Sequence, residues 1–183
     1  SKDICQLHQI GPKLSVINVL HGYFVDSAKD FDKLDDLAYL GRQLVRVNVA
    51  LQIMSLTFEL TEDLAATCFA YEKAIRSGNK NIPEYLRDYG DPKKGSDAGN
   101  PKDFYDRVSS DIVYVALVSG LHPKNDIVSV RSYYDMFKMI KEYREKYDDW
   151  HQGYKHGQRT IAVYVWPDPK PTKTNTRFAI YRI

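Results

Sequence analysis

The feature that most constrains the fold is a long helical pattern near the C-terminal end, which begins at Ile127 and closes at Gly157. No proline interrupts it, and large apolar side chains recur along it at steps of three and four. We call these side chains the aromatic seam: Tyr133, Phe137, Ile140, Tyr143, Tyr147, Trp150 and Tyr154. The pattern predicts a helix of about 28 residues that packs against the rest of the chain or against a partner.

Upstream patterns predict three further principal helices. The first begins at Asp26 and continues to Ile53, the second follows from Phe58 to Ser77, and the third spans Pro101–Ser119. Asn100 before Pro101 is typical of a helix start, and the glycines after Ser77 and Ser119 are typical of helix ends. Residues 79–101 predict a loop with a short helical turn at Pro83–Asp88.

The two ends of the chain show different patterns. Residues 1–25 are expected to be irregular, since Gly11-Pro12 and Gly22 flank a β-branched stretch that could be a short strand. After Gly157 the apolar period changes to two, so Thr160–Trp166 and Arg177–Ile183 are predicted to form an antiparallel hairpin. The predicted fold is mainly α: one domain with an irregular segment (1–25), a bundle of four principal helices (26–157) and a hairpin (158–183).

Composition limits the class of protein. A length of 183 residues suits one domain, and a net charge of +2 gives no overall field typical of a nucleic-acid binder. We expect a cytoplasmic protein that does not enter a membrane, because no uninterrupted run of about 18 apolar residues and no signal sequence is visible. Cys5 and Cys68 lack the spacing of a zinc site, and no phosphate loop or other cofactor motif occurs, so no cofactor is expected.

A polar ridge lies beside the aromatic seam and carries most of the chemistry that the sequence offers. It consists of Arg144, Asp148, His151 and Lys155, at steps of four, three and four. Arginine and lysine can hold a phosphodiester, and histidine can move a proton near neutral pH. Asp148 could orient the His151 ring. A solvated face of ion pairs explains the same residues equally well.

Arg144, the six residues after it and His151 resemble the R-x(4–6)-H signature of the HEPN superfamily. Tyr154-Lys155-His156-Gly157 is similar to the Lys-His-Gly endings found in proteins related to that group. Members are helical bundles, often homodimers, and many are metal-independent endoribonucleases of toxin–antitoxin or other defence systems.

The resemblance implies that Arg144 and His151 are the catalytic pair, with histidine as general acid or base and arginine stabilising the phosphate. Asp148, Lys155, His156 and Arg159 would then bind the substrate, which would be RNA or a nucleotide. The resemblance also implies a homodimer, and the aromatic seam of the last helix is the expected interface.

Two alternatives stay open. The first is a non-catalytic helical interaction or structural protein, in which the ridge is only a charged surface. The second is a carboxylate-metal phosphohydrolase, in which Asp32 and Asp36, one helical turn apart, share a metal ion.

Overall fold

A computed structural model describes residues 7–30, 33–91, 93–94, 99–155, 160–165 and 177–182. The chain divides into two compact units. Unit 1 comprises Ser1–Pro12 and Glu59–Lys146, and unit 2 comprises Lys13–Phe58 and Tyr147–Ile183. The prediction of a single domain stays a prediction.

The protein is mainly helical, as the sequence predicts. The helices in the described part of the chain are α1 (Leu7–Asp26), α2 (Asp36–Ser77), α3 (Ile82–Asp88), α4 (Pro101–Val108), α5 (Ile112–Ser119) and α6 (Ile127–Lys155). Apart from the short helix α3, which the sequence predicts separately as a helical turn, the described residues contain five helices where four principal helices are expected. The last helix has 29 residues, in agreement with its predicted length and start.

Helix α1 corrects the prediction of an irregular N-terminal segment over 1–25. The partly buried residues Ile10, Ile17, Leu20 and Phe24 follow steps of seven, three and four, which is a helical period. This period outweighs the β-branched content and the Gly11-Pro12 pair. Pro12 lies inside the helix, beyond its first turn, so its missing N–H leaves one intrahelical hydrogen bond unformed.

Helix α2 joins two of the predicted helices, but it begins at Asp36 and not at the predicted Asp26, which is the last residue of α1. The sequence places a break near Ser55 and Thr57, but the helix continues through both. The Thr57 hydroxyl donates a hydrogen bond of 2.7 Å to the carbonyl of Ile53, and so the polar side chain is satisfied within the helix. By length and composition α2 could cross a membrane, and only 17% of the apolar window concerned is buried.

The third predicted helix is two helices, α4 and α5. The start is correct, since the Asn100 side chain accepts a hydrogen bond of 2.9 Å from the backbone N–H of Asp103. The break arises at Asp111, whose carboxylate accepts from the N–H groups of Val113 and Tyr114 and caps a new helix. Gly120 ends α5 with a φ of 68°, as its position predicts.

The core of unit 1 forms where α2, α4, α5 and α6 meet. Its fully buried members include Ala65, Tyr105, Val108, Val115 and Val130. Phe104 meets Phe137 edge to face, with 5.6 Å between ring centroids. The short helix α3 begins at Ile82, one residue before the predicted start at Pro83, ends at Asp88 as predicted and contributes no buried residue.

Unit 2 contains α1 from Lys13 onward, the first half of α2 and the end of α6. Its buried residues on α2 are Leu40, Val49, Leu51, Ser55 and Phe58. The Arg46 guanidinium covers the ring of Phe24 from α1 at 4.4 Å. Strands β1 (Thr160–Val165) and β2 (Arg177–Arg182) pair antiparallel, with Thr160 opposite Arg182. The connection between them lies outside the described residues, so the hairpin as a whole stays a prediction.

Candidate functional site

The inner face of α6 follows a line of residues spaced seven apart. Val130 and Phe137 lie on this line and are core residues of unit 1. Arg144 and His151 continue the same line along the helix. The predicted catalytic pair therefore occupies positions that face inward, and not an exposed ridge beside the seam.

Arg144 is held inside unit 1 by polar and aromatic contacts. Its side chain is 12% exposed. Its Nη1 donates a hydrogen bond of 2.6 Å to the Thr61 hydroxyl, and its Nη2 lies 3.8 Å from the Glu62 carboxylate. The guanidinium carbon lies 5.6 Å from the centroid of the Tyr105 ring. These contacts stabilise a charge that would otherwise be costly to bury.

Tyr105 is linked to the same place. Its hydroxyl donates a hydrogen bond of 2.7 Å to the backbone carbonyl of Thr61, so Arg144 and Tyr105 bind one residue of α2 through its side chain and its backbone. Burial raises the pKa of Tyr105, and the nearby positive charge of Arg144 lowers it by a smaller amount. The hydroxyl therefore remains a donor throughout the physiological range.

His151 is an interior residue of unit 2. It is 2% exposed, and its ring stacks on Phe58 with 4.3 Å between centroids and 4° between the planes. In this conformation the imidazole is not reachable by a substrate in solution. A proton transfer at His151 would first require the stack to open.

The structure describes only some of the other predicted substrate-binding residues. Asp148 is half-buried on α6, and Lys155 is the last residue of that helix. His156 and Arg159 lie outside the described residues. A basic cluster at this helix end stays a prediction.

The metal alternative gains no support. Asp32 lies outside the described residues, and Asp36 is exposed at the start of α2. Within the part of the chain that the structure describes, no group of three or more His, Cys, Asp or Glu residues is placed to hold a metal ion.

The aromatic seam divides between inner and outer positions. Phe137 is 3% exposed and Ile140 packs against the core of unit 1, whereas Tyr133 is exposed. Phe137 and Ile140 are therefore engaged within one chain. The sequence predicts a seam that faces the core or a partner; the core contact is confirmed at Phe137 and Ile140, and the dimer interface stays a prediction.

A polar cluster that the sequence pattern does not predict lies in unit 1, around the buried residue Glu72. Its Oε1 is 2.8 Å from Arg76 Nε and 3.1 Å from Arg107 Nη1, and its Oε2 accepts a 2.5 Å hydrogen bond from the Tyr114 hydroxyl. The Arg107 guanidinium also lies 3.7 Å from the centroid of the Tyr114 ring. The Glu72–Arg76 spacing of four was the available signal. Arg107 and Tyr114 are more than 30 residues away along the chain and could not be associated with it by spacing.

No protein-family model, no curated protein and no solved structure matches this chain.

Proposed function

We propose that this chain is a non-catalytic helical interaction protein that pairs with a second copy of itself through the outer face of α6. The observation that carries the proposal is an exposed apolar stripe on that face, formed by Val128, Met136 and Met139. Val128 is 78% exposed and Met139 is 70% exposed. Spacings of eight and three place all three on one side of the helix.

Alternating charges flank this stripe. Arg131, Asp135, Lys138, Glu142 and Lys146 follow at steps of four, three, four and four, and all are exposed. If two copies of α6 lie antiparallel with a twofold axis at residue 140, Lys138 faces Glu142, and Lys146 lies one residue from the position opposite Asp135. The surface is therefore complementary to itself, as a twofold interface requires. Charges beside an apolar seam also set helix orientation in coiled coils.

The engagement of Arg144 and His151 supports the non-catalytic part of the proposal. Arg144 holds Thr61, and His151 stacks on Phe58. Both therefore have structural roles that account for their presence without a substrate. A flexible methionine surface suits binding to another protein, because the thioether side chain adapts to a partner.

Sedimentation velocity over a range of protein concentrations tests the pairing. The wild type should sediment as a dimer, and Met139→Glu should sediment as a monomer. Val113→Glu, a matched change at an exposed position of α5 away from the stripe, should leave the dimer intact. A wild type that stays monomeric up to millimolar concentration would refute the proposal.

Charge exchange tests the orientation. Lys138→Glu and Glu142→Lys should each weaken the dimer, because each places like charges opposite one another. The double variant should restore it. If the double variant is as weak as the singles, the antiparallel arrangement is wrong.

The competing proposal is a HEPN-like, metal-independent endoribonuclease acting on RNA or a nucleotide, with Arg144 and His151 as the catalytic pair. It is supported by the spacing of the two residues on one long helix. Cleavage of RNA in EDTA by the wild type, abolished by His151→Phe and unchanged by His21→Ala, would favour it. The phenylalanine variant keeps an aromatic ring against Phe58, so loss of cleavage would not reflect simple unfolding.

Three further properties are proposed from the sequence, and none of them depends on which function is correct. They are a cytoplasmic location, a single domain and a closed C-terminal hairpin over residues 158–183. Limited proteolysis of the intact chain tests the last two, since a closed hairpin on one domain should be cleaved no faster than the helical residues.

A further inference from the structure

Beside the Glu72 cluster, unit 1 contains a cavity of about 270 Å³. Aromatic side chains form its apolar wall, and they are Phe69, Tyr89, Phe104 and Tyr114. Lys73, Arg76 and Arg107 supply three positive charges to the lining. An apolar cavity with a few convergent polar groups is the usual form of a small-molecule site.

We propose that this cavity binds a small ligand in which an aromatic ring carries one anionic group. The ring would lie among the aromatic side chains, and the anion would be held by Arg76 and Arg107. This site is independent of the α6 surface, so it does not depend on the proposed self-association.

The state of Glu72 explains why an anion is preferred. Its carboxylate forms ion pairs with Arg76 and Arg107 and accepts a hydrogen bond from the Tyr114 hydroxyl. Its negative charge is therefore compensated inside the protein. Each arginine gives this carboxylate one nitrogen, and a guanidinium has five N–H donors in a planar fork. Further donors of both arginines are therefore available to a second anion.

The exposure of the arginines fits this role. The Arg76 side chain is 56% exposed and that of Arg107 is 45% exposed, so a ligand can reach both. The contacts with Glu72 hold both arginine side chains in place, so a ligand has less side-chain conformational freedom to restrict when it binds. Lys73 lies 5.4 Å from the centre of the Phe69 ring and adds a third positive charge on the same side.

The remaining carboxylate of the lining does not oppose the anion strongly. Asp103 accepts a hydrogen bond of 2.5 Å from the Asn100 side chain at the start of α4, where a negative charge is favoured by the helix dipole. The five charged residues of the lining are Glu72, Lys73, Arg76, Asp103 and Arg107, three positive and two negative, so their sum is +1.

The size of the cavity limits the ligand. A volume of about 270 Å³ lies just below the range of about 300 to 1,000 Å³ that is usual for ligand sites. The cavity therefore suits one ring with its anionic group, and not a polymer. Two sources share this chemistry: a nucleoside monophosphate and an aromatic carboxylate.

Isothermal titration calorimetry on the full chain, with adenosine 5′-monophosphate and with 4-hydroxybenzoate, tests the proposal and separates the sources. At least one probe should bind, and adenosine and phenol, which lack the anion, should bind more weakly. Binding of the monophosphate alone assigns a phosphate ester, and binding of the benzoate alone assigns a carboxylate. No binding of either probe at millimolar concentration overturns the proposal.

Variants locate the site. Arg76→Gln should weaken binding about tenfold, the effect expected for one charge-assisted hydrogen bond. Arg87→Gln, the same change at an exposed position of α3 outside the cavity lining, should not alter binding. Lys73→Gln gives a second test at a position whose loss leaves the Glu72 pairs intact. Equal affinity in Arg76→Gln, Lys73→Gln and the wild type would show that any binding occurs elsewhere.

Discussion

The ring of His151 lies parallel to the ring of Phe58, 4.3 Å away between centroids, in the interior of unit 2. A histidine at this position acts as a packing residue. We expect His151→Ala to lower the free energy of unfolding by about 2 to 4 kcal/mol, because it removes the ring and leaves a cavity. His151→Phe should cost less than the alanine change. Urea unfolding followed by circular dichroism measures both.

A matched control is His21→Ala, since His21 is exposed on α1 in the same unit. It should change the stability by less than about 0.5 kcal/mol. If His151→Ala is as harmless as His21→Ala, the stacked arrangement is wrong and His151 becomes available for the catalytic role that the HEPN resemblance implies.

Helix α6 shows how far the sequence could predict this protein. Its start and length follow from apolar periodicity and the absence of proline, and the structure agrees with both. The position of Arg144 and His151 did not follow, because charged and polar side chains are normally assigned to the surface. The seven-residue spacing from Val130 and Phe137 does indicate that Arg144 and His151 face inward. Using it required knowing that Thr61 and Phe58, distant in sequence, would meet those side chains.

Helices α1 and α4–α5 show two other limits. In α1 the helical period competed with a β-branched stretch and a proline, and packing against the rest of unit 2 favoured the helix. In α4–α5 the apolar period continues, but the Asp111 side chain competes for backbone N–H groups and starts a new helix. Both outcomes depend on small differences in free energy that a period alone does not measure.

Arg144 and Thr61 should be energetically coupled. Arg144→Met removes the donor of a 2.6 Å hydrogen bond and should lower the free energy of unfolding by about 2 to 3 kcal/mol. Thr61→Val removes the acceptor and keeps the shape. The double variant should lose less than the sum of the singles, by about 1 kcal/mol or more. A double-mutant cycle in urea gives this coupling.

Arg131→Met is the matched control, because Arg131 is exposed on the same helix. It should show no coupling to Thr61→Val. Full additivity of Arg144→Met and Thr61→Val would mean that the hydrogen bond contributes nothing in solution.

The buried thiol of Cys68 should make the protein less stable in alkali. Burial raises the pKa of Cys68 from 9.0 to about 12. Well below pH 9 both the folded and the unfolded states keep the proton of Cys68, so ionisation of this thiol does not lower the free energy of unfolding. Between pH 9 and 12 the unfolded state loses the proton first, so the free energy of unfolding falls by up to about 1.4 kcal/mol for each pH unit.

Cys68→Ala should therefore have a flatter stability profile than the wild type. Between pH 8 and pH 10 the wild type should lose about 1.4 kcal/mol more than the variant. Buried tyrosines with raised pKa values, such as Tyr105 and Tyr114, contribute at higher pH and are present in both proteins. Cys5 is also common to both. Parallel profiles over this range would show that Cys68 is accessible to solvent in the folded state.

Gly99 lies in the loop before α4 and lines the cavity of unit 1, and Gly120 gives a matched control position after α5. Both have a positive φ, 67° and 68°, so alanine is strained at either position by a similar amount. A Cβ at Gly120 meets nothing within 4 Å, whereas a Cβ at Gly99 would lie 2.7 Å from two atoms of the Phe69 ring. Gly120→Ala should cost about 1 kcal/mol, and Gly99→Ala should cost about 1 to 3 kcal/mol more, because the ring must move. Thermal and urea unfolding of the two variants measures the difference, and adding Phe69→Leu to Gly99→Ala should recover part of the loss. Equal costs for the two glycines would mean that the loop does not pack against Phe69 and that the wall of the cavity is not formed as described.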